Sequence, residues 1–234
     1  MTPRRNVLGI LGLVAAACFV IGPLLAWLKI APSIAGFGLF ALGGILAIVS
    51  GIGAIVAAVR GRGMRPGGVV ALLVSVLFIV LATRGRGVPA INDFTTDPAD
   101  PPAFHHAGTL GPNVGRDLAY PQAFAEIQRS CCADLHPARV KASPNDAFAR
   151  ARSVAEQMPR WTVTWTDPQA GLIEAVATSA LFHFQDDIAI RVRPDGDGAS
   201  RVDMRSKSRD GKGDLGVNAA RIRSYVGTLE AGGK

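Results

Sequence analysis

The first 83 residues contain no aspartate or glutamate, although the whole chain of 234 residues has 18 acidic side chains. The only charged residues in this part are basic: Arg4, Arg5, Lys29, Arg60, Arg62 and Arg65. The rest of the chain has 19 basic against 18 acidic residues, so most of the net charge of +7 belongs to the first third. A basic surplus on the flanks of apolar stretches is typical of membrane proteins, and it argues against nucleic acid as a partner.

Recognisable catalytic motifs are also missing, since the chain has no Gly-x-Ser-x-Gly, no phosphate-binding loop and no dinucleotide fingerprint. His105 and His106 lack a clear third ligand for zinc. Of the three cysteines, Cys18 lies in an apolar stretch, whereas Cys131 and Cys132 are neighbours. In an oxidising compartment these two could form a vicinal disulfide or join a partner, but two free thiols are the simpler expectation. We expect no cofactor and no metal.

Three long apolar stretches dominate the first third, at 7–28, 35–59 and 67–83. Each lacks charge and approaches or exceeds the roughly 20 residues that cross a bilayer. Because backbone groups find no water in lipid, we predict three transmembrane helices within region 1–87. The second stretch is rich in glycine and alanine, which allows close helix packing. Packing within this chain is the simpler interpretation, and docking of a foreign helix is the alternative.

The basic residues also predict an orientation. The two N-terminal arginines and the three arginines between the second and third stretches are expected in the cytoplasm, against a single Lys29 on the other side. The remainder of the chain would then be periplasmic, in a bacterial inner membrane. Ala15–Cys18 weakly resembles a lipoprotein cleavage site, but the apolar run continues to Leu28, so a retained helix is expected.

Beyond the apolar third, residues 88–142 are rich in proline and glycine and are predicted to be a connector that wraps a domain at 143–234. A short helix is possible at Leu118–Arg129. The domain begins with a clear helix start, in which Ser143 is the cap and Pro144 the first helical residue, and Pro159 ends this helix. A last helix is predicted from Asp214, with apolar residues at spacings of three and four.

Between these helices we predict four strands, at Trp161–Trp165, Leu172–Leu181, Asp187–Arg193 and Arg201–Arg209. For the last two strands, one register satisfies both faces of the hairpin. It pairs Val192 with Val202, Ile190 with Met204, Ile188 with Ser206, Arg191 with Asp203 and Asp187 with Lys207. The predicted fold is an α+β two-layer sandwich with the order helix, four-stranded antiparallel sheet, helix, preceded by three transmembrane helices.

Four segments of the chain resemble the DUF1499 family, a set of bacterial and plastid proteins of unknown function. They are Ile91–Asp97, Phe182–Asp187, Val202–Arg209 and Gly213–Arg221. The resemblance covers Ile91 to Leu229, and the apolar prefix is similar to the membrane-anchored branch of the family. The shorter branch has a paired-cysteine segment near its domain start that this chain lacks, so no redox or metal role is carried over from it. The resemblance implies no biochemical activity.

Basic and polar residues concentrate where the last strand meets the last helix, and this junction is the candidate site for an anionic or lipid ligand. A glycine turn opening a helix presents free amides that favour anions. The alternative is that Asp214 caps the helix and the two aspartates of the preceding strand pair with the arginines. Structural ion pairs are commoner than binding sites, which favours this alternative. The candidate residues are Asp186, Asp187, Arg205, Ser206, Ser208, Arg209, Lys212, Asp214, Asn218 and Arg221.

The leading hypothesis for function is a non-enzymatic, membrane-tethered module whose extracytoplasmic domain binds an anionic or amphiphilic ligand, or a protein partner, at the bilayer surface. An accessory subunit or assembly factor of a membrane complex is the first alternative. A hydrolase is the second, and it requires His183, Asp186 and a serine to converge. Asp186 and Asp187 cannot act as a shared acid pair, because neighbours on a strand point to opposite faces.

Overall fold

The structure is a computed structural model, and it describes residues 7–83 and 87–232. The chain divides into two compact units. The helical unit holds residues 7–83 together with Ala180–His183, and the sheet-containing unit holds the other described residues from Gly87 onwards. Arg4 and Arg5, on which the predicted orientation partly depends, lie outside the described residues.

Three long helices form most of the helical unit: α1 (Val7–Trp27), α2 (Ser33–Val59) and α3 (Pro66–Thr83). Within the described residues these are the three helices long and apolar enough to cross a membrane. Their outer faces are apolar as well, since Val7, Ile52 and Leu73 leave more than half of their surface exposed. Helices that are apolar all round are compatible with a membrane anchor, as predicted.

Small residues bring the backbones of these helices into direct contact. A methyl group added at Gly22 would lie 2.5 Å from the Gly36 carbonyl oxygen. One added at Gly43 would lie 2.5 Å from the amide nitrogen of Phe19. Aromatic rings fill the remaining space, with Phe19 and Phe40 4.5 Å apart between ring centres. Phe182, from the short segment of this unit, lies 5.5 Å from Phe40. Gly36 and Gly43 of α2 therefore pack within the chain.

The sheet-containing unit has one antiparallel sheet, which contains six strands in the described residues rather than the four predicted. The strands are β1 (Asp93–Thr95), β2 (Ala138–Val140), β3 (Trp161–Asp167), β4 (Leu172–Thr178), β5 (Gln185–Pro194) and β6 (Ser200–Ser208). The main order is β1-β6-β5-β4-β3, and β2 also pairs with β6. The two unpredicted strands come from the proline- and glycine-rich segment, and they share the outer edge of β6. With three residues each, they are too short to show an alternating pattern.

The described part of this unit also has three α-helices, α4 (Gln122–Cys131), α5 (Pro144–Gln157) and α6 (Val217–Ala231), and two short 3-10 helices at Ala107–Thr109 and Gly111–Asn113. The Ser143 hydroxyl accepts a hydrogen bond from the Asp146 amide, which confirms the predicted cap of α5. Alanines of α5 and larger side chains of α6 pack on one face of the sheet, among them Ala147, Ala151, Ile222 and Leu229. The α+β architecture is as predicted.

The predicted register of β5 and β6 is confirmed at all five pairs, from Asp187 opposite Lys207 to Val192 opposite Val202. Between β3 and β4 the pairing shifts by one residue after Val163, where a bulge interrupts the ladder. Trp161 therefore stacks on Tyr225 of α6, at 5.6 Å between ring centres. Trp165 stacks instead on His105 and His106.

Candidate functional site

The predicted basic junction is divided between the two faces of the sheet, because successive residues of β6 point in opposite directions. On one face, Asp93 of β1 accepts hydrogen bonds from Arg205 Nε at 2.9 Å and Nη2 at 2.7 Å. Lys207 Nζ donates to the same carboxylate at 3.0 Å. All three side chains are buried. One carboxylate thus holds two of the basic residues of the strand.

Arg205 is further enclosed by the segment between β1 and α4. It donates to the Leu118 and Pro102 carbonyl oxygens at 2.8 and 3.3 Å. Its guanidinium group lies 4.7 Å from the ring centre of Phe104 and 5.5 Å from that of Tyr120. Burial, and next the charge of Asp93, raises the pKa of Tyr120 to about 12. With carbonyl groups and rings on several sides, Arg205 offers no open face to a ligand.

Asp187 lies on this same face, and its carboxylate also has several hydrogen-bonding partners. It accepts bonds from Arg209 at 2.6 Å and from the Asn113 amide at 2.9 Å, and Arg116 lies 3.8 Å away. Asp187 is opposite Lys207 in the ladder, as predicted, but its closest ionic partner is Arg209.

The opposite face holds a second network, under α6. The Ser206 hydroxyl donates to the Asn218 amide oxygen at 2.6 Å, and the Asn218 amide nitrogen donates to Ser208 at 2.9 Å. Arg221 donates to Ser206 at 2.9 Å and to Asp186 at 2.6 Å. Asn218 and Arg221 of α6 therefore face the sheet, and their polar groups bond to one another and to β5 and β6.

The remaining two candidates lie in the turn between β6 and α6. Asp214 accepts bonds from the amides of Gly216 at 2.9 Å and Asn218 at 2.6 Å, so its carboxylate occupies the helix start where an anion was predicted. Burial raises the pKa of Asp214 above its usual value, although the two amide hydrogen bonds oppose this shift. Lys212 is exposed. Of the ten predicted residues, Lys212 is the one that belongs neither to the two networks nor to the helix cap.

Three structural residues were missed by the sequence analysis. Asp93 and Asn113 belong to the segment that was predicted to be a connector. Asp93 lies within the resembling segment Ile91–Asp97 but was not singled out there, and no pattern marked Asn113. Glu174, in β4, accepts hydrogen bonds from the backbone amides of His105, His106 and Ala107 and so fixes that loop on the sheet. An acidic residue within an otherwise apolar run, Leu172–Ala177, is the signal that could have identified Glu174.

The residues proposed for a hydrolase do not form a relay. His183 has a left-handed backbone, with φ at 56°, and its buried Nδ1 has no hydrogen-bond partner in the described part of the chain. The Asp186 carboxylate is bonded to Arg221. Across residues 7–83 and 87–232, no group of three or more potential ligands could hold a metal ion.

A groove of about 540 Å³ opens elsewhere on the sheet-containing unit. We call it the Val88 groove, and it is lined by Gly87, Val88, Pro89, Glu126, Ile127, Ser130 and Cys131. The turn before α6 borders it, since a methyl group added at Gly216 would lie 3.3 Å from Val88. On either side of that glycine, Leu215 and Val217 are 63% and 48% exposed. Exposed apolar side chains therefore flank the glycine that contacts Val88.

The two neighbouring cysteines reach this groove. Cys131 and Cys132 are joined in a disulfide, so the simpler expectation of two free thiols is wrong. Cys131 is exposed and lines the groove, whereas Cys132 is buried in the core.

Together these features define a sheet-containing α+β domain that follows three helices suited to a membrane. The chain belongs to the DUF1499 family, described as proteins of unknown function, whose sequence profile matches residues 93–229. No curated protein matches the chain significantly. The match covers the strands and helices of the sheet-containing unit from β1 to Leu229.

Proposed function

We propose that the chain is a membrane-tethered binding module, not an enzyme, and that its domain binds an amphiphilic molecule of the bilayer, such as a lipid, in the Val88 groove. The observation that carries the proposal is an exposed apolar surface that begins four residues after α3 ends at Thr83. Gly87 lines the groove and follows Thr83 by four residues in the sequence, so a short linker joins the groove to a helix suited to lipid.

The chemistry of the groove favours an amphiphile over a small anion. Val88, Pro89 and Ile127 offer apolar contact, whereas Glu126 and Ser130 can meet a polar headgroup. The Glu126 carboxylate would repel a ligand with a net negative charge, whereas a neutral or zwitterionic headgroup would not be repelled. At the junction where an anion was predicted, Arg205, Arg209 and Arg221 already have carboxylate partners. The anionic form of the hypothesis therefore retains only Lys212 as an exposed cation among the predicted residues.

The distribution of basic residues supports the remaining part of the proposal, in which the domain lies on the extracytoplasmic side of a bacterial inner membrane. Arg60, Arg62 and Arg65, between α2 and α3, favour the cytoplasm for that loop, and α3 then leads outwards.

The test uses a photoactivatable phosphatidylcholine, whose headgroup has no net charge, added to the full chain in detergent, followed by mapping of the labelled peptides. We expect labelling of the peptides that contain Val88 and Ile127. Ile127→Asp should reduce that labelling about tenfold, because losing 1.4 kcal/mol of apolar contact corresponds to a factor of ten in affinity. Labelling of α1, α2 and α3 serves as an internal standard, which the substitution should leave unchanged.

Val114→Asp is the matched control, since Val114 is an apolar residue with 69% exposure away from the groove. It should leave groove labelling unchanged. Labelling that Ile127→Asp does not reduce, or that both variants reduce equally, would contradict the proposal.

A further inference from the structure

The disulfide between Cys131 and Cys132 combines one accessible and one inaccessible sulfur. Cys131 is the last residue of α4, and its side chain lines the Val88 groove. Cys132 is 7% exposed and belongs to the hydrophobic core. A reagent in the groove can therefore approach the Cys131 sulfur, while the Cys132 sulfur is shielded.

This bond is poorly suited to a stabilising role. A disulfide stabilises a fold mainly by restricting the unfolded chain, and the effect grows with the length of the loop that it closes. Cys131 and Cys132 are adjacent, so they close the shortest loop possible. The helix is also held without the disulfide, because the Gln128 side chain bonds both the amide and the carbonyl group of Thr95, at 3.0 and 2.6 Å.

We propose that Cys131–Cys132 is a reversible thiol–disulfide exchange site whose substrate is a dithiol reductant entering the Val88 groove. A thiolate of the reductant attacks Cys131 Sγ, and the bond to Cys132 breaks. Cys132 Sγ leaves with the electron pair and takes up a proton. The second thiolate of the reductant then attacks its own sulfur in the mixed disulfide and releases Cys131 as a thiol. The protein gains two electrons and two protons, and the reductant becomes a disulfide.

The first experiment uses the full chain in detergent with Cys18→Ser, which leaves only this pair of cysteines. The protein is equilibrated under native conditions with defined ratios of reduced to oxidised dithiothreitol, quenched with acid, and then unfolded in the presence of a maleimide so that both thiols can be labelled. We expect no maleimide on the oxidised protein and two on the reduced protein. Removing the reductant in the presence of oxidised dithiothreitol should restore the unlabelled form, with the unfolding midpoint unchanged between the two states.

Two results of this experiment would overturn the proposal. Maleimide labelling of the untreated protein would show that the thiols are free. A disulfide that dithiothreitol reduces only after denaturation would show that the bond is closed to exchange in the folded protein.

A second experiment tests which sulfur is attacked, again with Cys18→Ser. Cys132→Ala leaves Cys131 alone, and Cys131→Ala leaves Cys132 alone. We expect Cys131 to form a mixed disulfide with oxidised glutathione about tenfold faster or more, since thiol reactivity requires access. Equal rates in two folded variants would overturn the assignment of Cys131 as the attacked atom. If Cys132→Ala does not fold, mass spectrometry of the mixed disulfide trapped during reduction of the Cys18→Ser protein provides the same assignment.

Discussion

In the helical unit glycines let helix backbones approach one another directly, whereas in the sheet-containing unit buried carboxylates pair with guanidinium groups. Residues 7–83 contain no acidic side chain at all. The sheet-containing unit buries five of them to 5% exposure or less: Asp93, Glu174, Asp186, Asp187 and Asp203. The two units of one chain are therefore stabilised differently. The helical unit has no acidic side chain in its interior, whereas the interior of the sheet-containing unit is built on buried ion pairs.

Among the substitutions that test this comparison, Asp93→Ala is expected to lower the stability of the fold most. The substitution leaves Arg205 and Lys207 buried without their carboxylate, and breaking a buried pair in this way costs about 3–5 kcal/mol. Pulse proteolysis of the full chain in urea measures the loss. Asp195→Ala is the matched control, because its pair with Arg139 is exposed and contributes at most about 1 kcal/mol. Equal losses would show that the buried carboxylate has no special role.

The second effect concerns the two tyrosines, both of which lie in the sheet-containing unit. Burial raises the pKa of Tyr225 strongly and that of Tyr120 to about 12, against 10.0 in the unfolded chain. Because folding keeps both phenols protonated, this contribution to stability is fully present below pH 10 and is lost as the pH rises through 12. For Tyr120 the loss is about 3 kcal/mol.

Tyrosinate absorbance, recorded together with pulse proteolysis against pH, measures this effect. Tyr120→Phe should make the alkaline loss of stability shallower. A tyrosine that ionises near pH 10 in the folded protein would contradict the prediction and would indicate a solvated interior.

The smallest effect is expected in the helical unit, from Gly43→Ala. The added methyl group would meet backbone atoms of Ala15 and Phe19, which cannot move aside cheaply, so we expect a loss of about 1–3 kcal/mol. Gly38→Ala, on the same helix, places its methyl group in open space and should be neutral or stabilising by up to about 1 kcal/mol. Thermal unfolding in detergent, followed by circular dichroism, compares the two. Similar losses would mean that helix packing does not depend on close backbone contact.

The fold could be predicted where one local pattern determined it. The hairpin of β5 and β6 is the clearest case, because the apolar pairs on one face and the charged pairs on the other require the same register. The strand β1 could not be predicted in this way. It pairs with β6 across more than a hundred residues, and it is stabilised there by the bond between Asp93 and Arg205.

The predicted site shows the same limit. Sequence placed the right arginines near the right aspartates, but it could not choose among partners. Lys207 lies between β1 and β5 in the sheet, opposite Asp93 on one side and Asp187 on the other, and it bonds the first. Because the sequence analysis did not predict β1, Asp187 was the only acidic partner that the predicted register offered to Lys207. The basic junction is therefore a pair of internal networks, which is the alternative that the sequence analysis favoured, with Asp214 at the helix start and Asp186 and Asp187 paired with arginines.

The bulge in β3 has a practical consequence. By shifting the ladder after Val163, it leaves Trp161 against Tyr225 and Trp165 against His105 and His106. The domain therefore carries two intrinsic optical reporters with different surroundings, and only one of them lies beside imidazole rings. Single-tryptophan versions of the protein would let emission from Trp161 follow the α6 layer while emission from Trp165 follows the histidine loop.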